Sequence, residues 1–193
     1  MRRYGRARAR RRRWVGLVAV VVLAGLVLWL WASLEPERRV QEAVYPLRYE
    51  ETIRAAGELY GVDPALIAGI IYVESRFNPE AVSPRGAYGM MQIMPDTAVF
   101  ISERSGIGGD FRDPHVNIRM GTWYYTYLER KYQGDERLVL AAYNAGEGRV
   151  DAWLRREGFD IERDIPYIET RNYVEDVAEA RDRYAELYGD RLR

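Results

Sequence analysis

Hydrophobic and polar positions divide this 193-residue chain into three textures. Residues 2–13 contain eight arginines (Arg2, Arg3, Arg6, Arg8, Arg10, Arg11, Arg12, Arg13) and no acid. Val15 to Ala32 contains no charge; as a helix those 18 residues span about 27 Å, close to the ~30 Å hydrocarbon core of a bilayer. After a polar stretch at 33–46, apolar residues recur at helical spacing in segments separated by short breaks.

The first two textures predict a basic cytoplasmic segment at 1–13 and a transmembrane signal anchor at 14–32. Trp14 stands at one end of the span and Trp29 and Trp31 at the other, as interfacial anchors do. The arginines keep their side of the membrane cytoplasmic, so the remainder is expected in the periplasm or extracytoplasmic space, a single-pass protein of the inner membrane. A cleaved signal peptide is the alternative. The apolar run is long for one, and tryptophans stand where small residues would precede the cleavage site. Residues 33–46 read as a linker and 47–193 as the functional domain.

In that domain, Leu47 to Tyr60 has helical spacing and stops at Gly61. Asp63-Pro64 is an N-cap followed by proline at the first helical position, opening a helix through about Phe77. Asn78 to Gly89, rich in Pro, Ser and Gly, is a loop. A helix from Asp96 ends before Gly106, and Asp113-Pro114 repeats the cap signal for a helix to about Tyr132. Further helices are predicted at 135–143, 147–156 and 167–188. No segment alternates as a strand does, so the fold class is all-α.

Composition narrows the chemistry. The formal net charge is zero, but removing the arginine block leaves 21 basic residues against 29 acidic ones, about −8, which argues against a nucleic-acid-binding domain. There is no cysteine, which excludes disulfides, thiolate nucleophiles and a lipid anchor on cysteine. With His115 as the only histidine, a multi-histidine metal site cannot form. His115 follows Asp113-Pro114 in a first helical turn and reads as structural.

The 64–77 segment is densely apolar (Leu66, Ile67, Ile70, Ile71, Val73, Phe77) and carries one acid, Glu74, near its C-terminal end. Periodicity leaves two readings open. Glu74 faces solvent or pairs with Arg76 or Arg85; or it is desolvated, its pKa is raised, and it serves as a general acid.

The wider pattern bears on that choice. The stretch Glu74-Ser75-Arg76-Phe77-Asn78-Pro79, with Ala81, Ser83, Gly86-Ala87 and Gly89-Met90-Met91-Gln92-Ile93-Met94-Pro95, resembles the catalytic core of the lytic murein transglycosylases. Two later blocks strengthen the resemblance, Ala141-Ala142-Tyr143-Asn144-Ala145-Gly146 and Pro166-Tyr167-Ile168-Glu169-Thr170-Arg171-Asn172-Tyr173-Val174. It covers about 60 to 185 and departs little; Met90 stands where the family often has leucine, a near volume-neutral change.

The resemblance implies a lysozyme-like helical domain of the goose type. It also implies cleavage of the β-1,4 bond between N-acetylmuramic acid and N-acetylglucosamine in peptidoglycan glycan strands, leaving 1,6-anhydromuramic ends, without metal or organic cofactor. Glu74 is the implied acid/base, with the substrate's acetamido oxygen in place of an enzyme nucleophile. Ser83, Gln92, Met94, Tyr143 and Asn144 are the implied substrate contacts, and Glu169 and Tyr173 are implied to border the peptide-stem and sugar sites. Tyr167 fits as an apolar wall. Ordinary alternatives stand beside these: a Ser-Pro turn for Ser83, core filling for Met90, Met91 and Met94, a helix cap for Asn144, surface charge and core packing for Glu169 and Tyr173. Tyr124, Tyr125 and Tyr127 read as packing. A lysozyme-type hydrolase and a non-cleaving wall-binding module are the competing functions, and a partner in wall or secretion machinery has no signature in the sequence.

Overall fold

The computed structural model describes residues 4–33 and 36–193. The side chains of residues 4–13, Val15, Ala19, Trp31, Ala32, Ser33 and Pro36 are outside that description. The chain forms two compact units, Met1–Val44 and Tyr45–Arg193.

The first unit holds helix α1, Tyr4–Ser33, and helix α2, Pro36–Val44. α1 is continuous for 30 residues, and its apolar side chains Leu17, Val20, Leu23, Leu28 and Trp29 are exposed. Among the described residues no helix is long and apolar enough to cross a membrane. The arginine side chains and those of Val15, Trp31 and Ala32, at the two ends of the charge-free run, fall outside that description. α2 differs from expectation: within the segment read as a linker, Pro36 starts a helix and Arg38 pairs with Glu42 one turn on.

The second unit is all-helical: α3 Glu50–Tyr60, α4 Pro64–Ser75, α5 Pro95–Ser105, α6 Pro114–Lys131, α7 Glu136–Ala145, α8 Glu147–Leu154 and α9 Ile168–Leu192. Its described residues contain only isolated bridges, Val82 with Tyr88 and Tyr88 with Ile93. The starts of α4 and α6 follow the cap signals. Asp63 Oδ1 accepts from Ala65 N at 2.9 Å, and Asp113 Oδ1 from His115 N and Val116 N at 2.9 and 3.1 Å. α3 begins three residues later than the apolar spacing implied, because Tyr49 adopts a left-handed conformation with φ 55°.

α4 is buried along most of its length. Ile67, Ile70 and Ile71 are wholly buried, and the helix lies along α9. Gly69 permits that approach, since a Cβ there would stand 2.9 Å from the backbone nitrogen of Arg181. α4 also ends earlier than expected. Arg76 and Phe77 take left-handed φ values of 52° and 60°, and the Arg76 N–H closes on the Tyr72 carbonyl at 3.0 Å. Phe77 is carried into the core, and Glu74 becomes the penultimate residue of the helix.

Candidate active site

Glu74 lines a cleft of about 630 Å³ whose other walls come from the 83–97 segment, α6, α7, the start of α8 and the start of α9. Neither Arg76 nor Arg85 forms an ion pair with it. Arg76 lies 3.8 Å over the Tyr72 ring, and Arg85 lines the cleft. Burial pushes the Glu74 carboxyl up to about 7, partly opposed by the Tyr173 hydroxyl. Glu74 keeps some accessible surface toward the cleft, but protein closes its other sides, and that enclosure governs its desolvation.

Tyr143 and Tyr173 are the phenols that feel this carboxyl. Burial raises both hydroxyls well above their ordinary pKa, and the Glu74 charge adds to it. The Tyr143 hydroxyl donates to the Met91 carbonyl at 3.1 Å. The Tyr173 hydroxyl influences Glu74 yet meets no acceptor in full hydrogen-bond geometry, so it stands as a buried donor aimed at the carboxylate without a closed bond. Tyr173 is buried and does not itself line the cleft, so it sits behind Glu74 rather than along the groove.

The loop between α4 and α5 builds the facing wall. Ser83 forms the turn expected of Ser-Pro, its Oγ accepting from Ala87 N at 3.0 Å, and it lines the cleft as well. Gln92, at φ 48°, donates from Nε2 to the carbonyls of Gly89 and Ala81 at 2.8 and 3.1 Å. Its donors are thereby committed to the loop, while the residue still lines the cleft. Met94 is 38% exposed and forms part of the wall; Met90 and Met91 are core. Ser75, next to Glu74, ties helix to loop by donating to the Met90 carbonyl at 2.9 Å.

On the opposite side Asn144 lines the cleft and accepts from the Thr170 hydroxyl at 2.8 Å, joining α7 to α9. It does not cap α7; Gly146 holds that position. Glu169 is exposed in the first turn of α9 and is the second acid lining the cleft. Tyr167 is half exposed against Trp153, with ring centroids 5.7 Å apart, and borders a smaller adjoining cavity of about 100 Å³.

Several lining residues were invisible to pattern reading. Tyr124, assigned to packing with its neighbours, contributes to the cleft with its ring 5.6 Å from that of Tyr143; Tyr125 is indeed core. Arg85, Thr97 and Arg149 also line the cleft, and nothing in their spacing distinguishes them from other surface positions. His115 faces Thr52 at 2.6 Å and the edge of Tyr49, away from the cleft lining. No cluster of three or more His, Asp or Glu suited to a metal occurs among the described residues.

The chain is similar to known proteins over most of its length. Residues 51–165 match the Transglycosylase SLT domain family, a match that ends before α9. The soluble lytic murein transglycosylase of Escherichia coli K12 is 34% identical over 92% of this chain. A membrane-bound lytic murein transglycosylase C of Actinobacillus pleuropneumoniae is 31% identical over 72%. Among solved structures, the 70 kDa soluble lytic transglycosylase of E. coli superposes with a TM-score of 0.70 at 33% identity, over 79% of this chain and 26% of that one. An inactive mutant of the Pseudomonas aeruginosa lytic transglycosylase Slt gives 0.68 at 33% identity, over 74% and 24%. The chain spans 28% of the first E. coli relative and 46% of the Actinobacillus one. A lysozyme-like helical fold, a cleft with Glu74 at its wall and sequence similarity across both place this chain in the transglycosylase SLT domain family.

Proposed function

We propose that this chain is a lytic transglycosylase that cleaves peptidoglycan glycan strands between N-acetylmuramic acid and N-acetylglucosamine. The observation that carries the reading is Glu74, a carboxyl in the cleft whose pKa burial pushes up to about 7. At neutral pH such a group is protonated about half the time, against about one in 500 for an ordinary Glu. It therefore serves either direction of proton transfer.

Protonated Glu74 donates to the glycosidic oxygen as the C1–O bond breaks. The muramic 2-acetamido oxygen attacks C1, so no enzyme nucleophile is needed. Glu74, now a carboxylate, accepts the proton of the same sugar's C6 hydroxyl, whose oxygen displaces the acetamido oxygen and closes the 1,6-anhydro ring. Water is neither consumed nor released. Holding both reacting groups on one sugar makes ring closure intramolecular. Ser83, Gln92, Met94, Tyr143 and Asn144 contact the sugars, Glu169 borders the strand's peptide stems, and Tyr173 acts on Glu74 from behind. The cleft's apolar wall at Met94 and Tyr124 beside polar Gln92 and Asn144 suits a sugar's mixed faces.

The N-terminal segment completes the reading: residues 14–32 anchor the chain in the inner membrane, and the 47–193 domain works outside it. Support comes from the charge-free run after the arginines, the continuous α1 and its exposed apolar side chains. One relative is itself named membrane-bound. The catalytic assignment is tested on isolated cell-wall sacculi. The full chain lyses them and Glu74→Gln does not; undiminished lysis by Glu74→Gln sinks the assignment.

A further inference from the structure

Asn117 lies on α6, wholly buried, and no motif singles it out. Its carboxamide makes three hydrogen bonds to backbone, two of them to the Tyr88–Gln92 turn. Oδ1 accepts from Met91 N at 2.8 Å, and Nδ2 donates to the carbonyls of Tyr88 and Phe111, both at 2.9 Å. Gly89, with φ 82°, packs against this amide so tightly that a Cβ would stand 2.7 Å from Nδ2. The turn it holds presents two carbonyls to hydroxyls beside Glu74. Met90 O receives Ser75 Oγ at 2.9 Å, and Met91 O receives Tyr143 Oη at 3.1 Å. Gly121 closes the same junction: a Cβ there would meet Met91 Sδ at 2.5 Å and Tyr143 Oη at 2.9 Å.

We propose that Asn117 is a positioning residue for the acid/base: its buried carboxamide fixes the register of the Tyr88–Gln92 turn, so that the Met91 carbonyl takes the Tyr143 hydroxyl and withholds it from Glu74. The inference rests on the reading of Glu74 as the acid/base. The physical reason is competition for one donor. Tyr143 has a single O–H and shares the cleft wall with Glu74, whose charge it feels. Given to the carbonyl, that O–H leaves the carboxylate poorly solvated. Given to the carboxylate, it would stabilise the charged form and weaken Glu74 as an acid. The carbonyl competes only while Met91 is held in place, and the Met91 N–H to Asn117 bond holds it.

The test is a carbon NMR titration of the Glu74 carboxyl in the full-length chain, a readout that does not need catalysis. Wild type, Asn117→Ala, Tyr143→Phe and the double variant are compared at a temperature where circular dichroism shows each folded. Asn117→Ser takes the place of Asn117→Ala if the latter does not fold. The expected result is a midpoint lowered by about one to two pH units in Asn117→Ala, the effect of one hydrogen bond to a charged group. That fall disappears when Tyr143→Phe is added, and the alkaline limb of kcat/KM moves in parallel. A midpoint unchanged by Asn117→Ala, with only the melting temperature lowered, overturns the proposal, as does a fall that persists in the double variant. If Glu74→Gln retained lytic activity the acid/base reading would fail, while the titration would still decide whether Asn117 controls the hydroxyl.

Discussion

Glu74→Gln should stabilise the protein at alkaline pH while abolishing its activity. Burial holds the folded-state pKa of Glu74 near 7, above its ordinary value of 4.5. Between those two values the native state keeps a proton that the unfolded chain has released, so stability falls as pH rises through the window. Below about 4.5 both states are protonated and nothing is lost. Above about 7 the whole cost of burying the charge is present, about 3 kcal/mol at 1.36 kcal/mol per pH unit. Between pH 5 and pH 8 the wild type should therefore lose about 2.5 kcal/mol on account of this group. Glutamine does not titrate, so the variant escapes that loss, and any fixed cost of its amide cancels from the slope. For a domain of this size the difference is about 5–10 °C in melting temperature. Urea unfolding of both proteins at pH 5 and pH 8 measures it. A gap that widens toward pH 8 supports a buried carboxyl, and stability curves that stay parallel across the range refute it.

Two further predictions follow from the same geometry. Tyr173→Phe removes the hydroxyl that lowers the Glu74 pKa, so the alkaline limb of kcat/KM should move to higher pH; a shift to lower pH contradicts the assigned direction. Gly69→Ala forces a methyl against the Arg181 backbone where α4 lies on α9, and denaturant melts should show a loss of about 1–3 kcal/mol, whereas a neutral effect would mean the helices separate easily.

Sequence carried the helices best where local chemistry sets them. Asp63 and Asp113 cap α4 and α6 through their own carboxylates, an interaction confined to three residues and so readable from them. Ends set by backbone reversal were less visible: the left-handed Tyr49, Arg76 and Phe77 have side chains that give no hint of positive φ. Glu74 was legible as an acid in an apolar helix, but whether it met Arg76 or an apolar cleft depended on where α4 stopped. Ser83, Gln92, Met94, Tyr143, Asn144 and Glu169 converge on one cleft from three separate segments, a proximity that family resemblance suggested and periodicity could not. Asn117 and Tyr124 were missed for opposite reasons. A polar residue within a helix reads as surface, and an aromatic among aromatics reads as core, until the neighbouring elements are in place.

The most direct test of the central claim is the mass of the new sugar ends formed when the full-length chain digests peptidoglycan. The expected products are muramic ends one water lighter than hydrolysis would give, formed by the wild type and not by Glu74→Gln. Ordinary reducing ends would contradict it, because they require an activated water where the proposed mechanism uses only the substrate's own C6 hydroxyl.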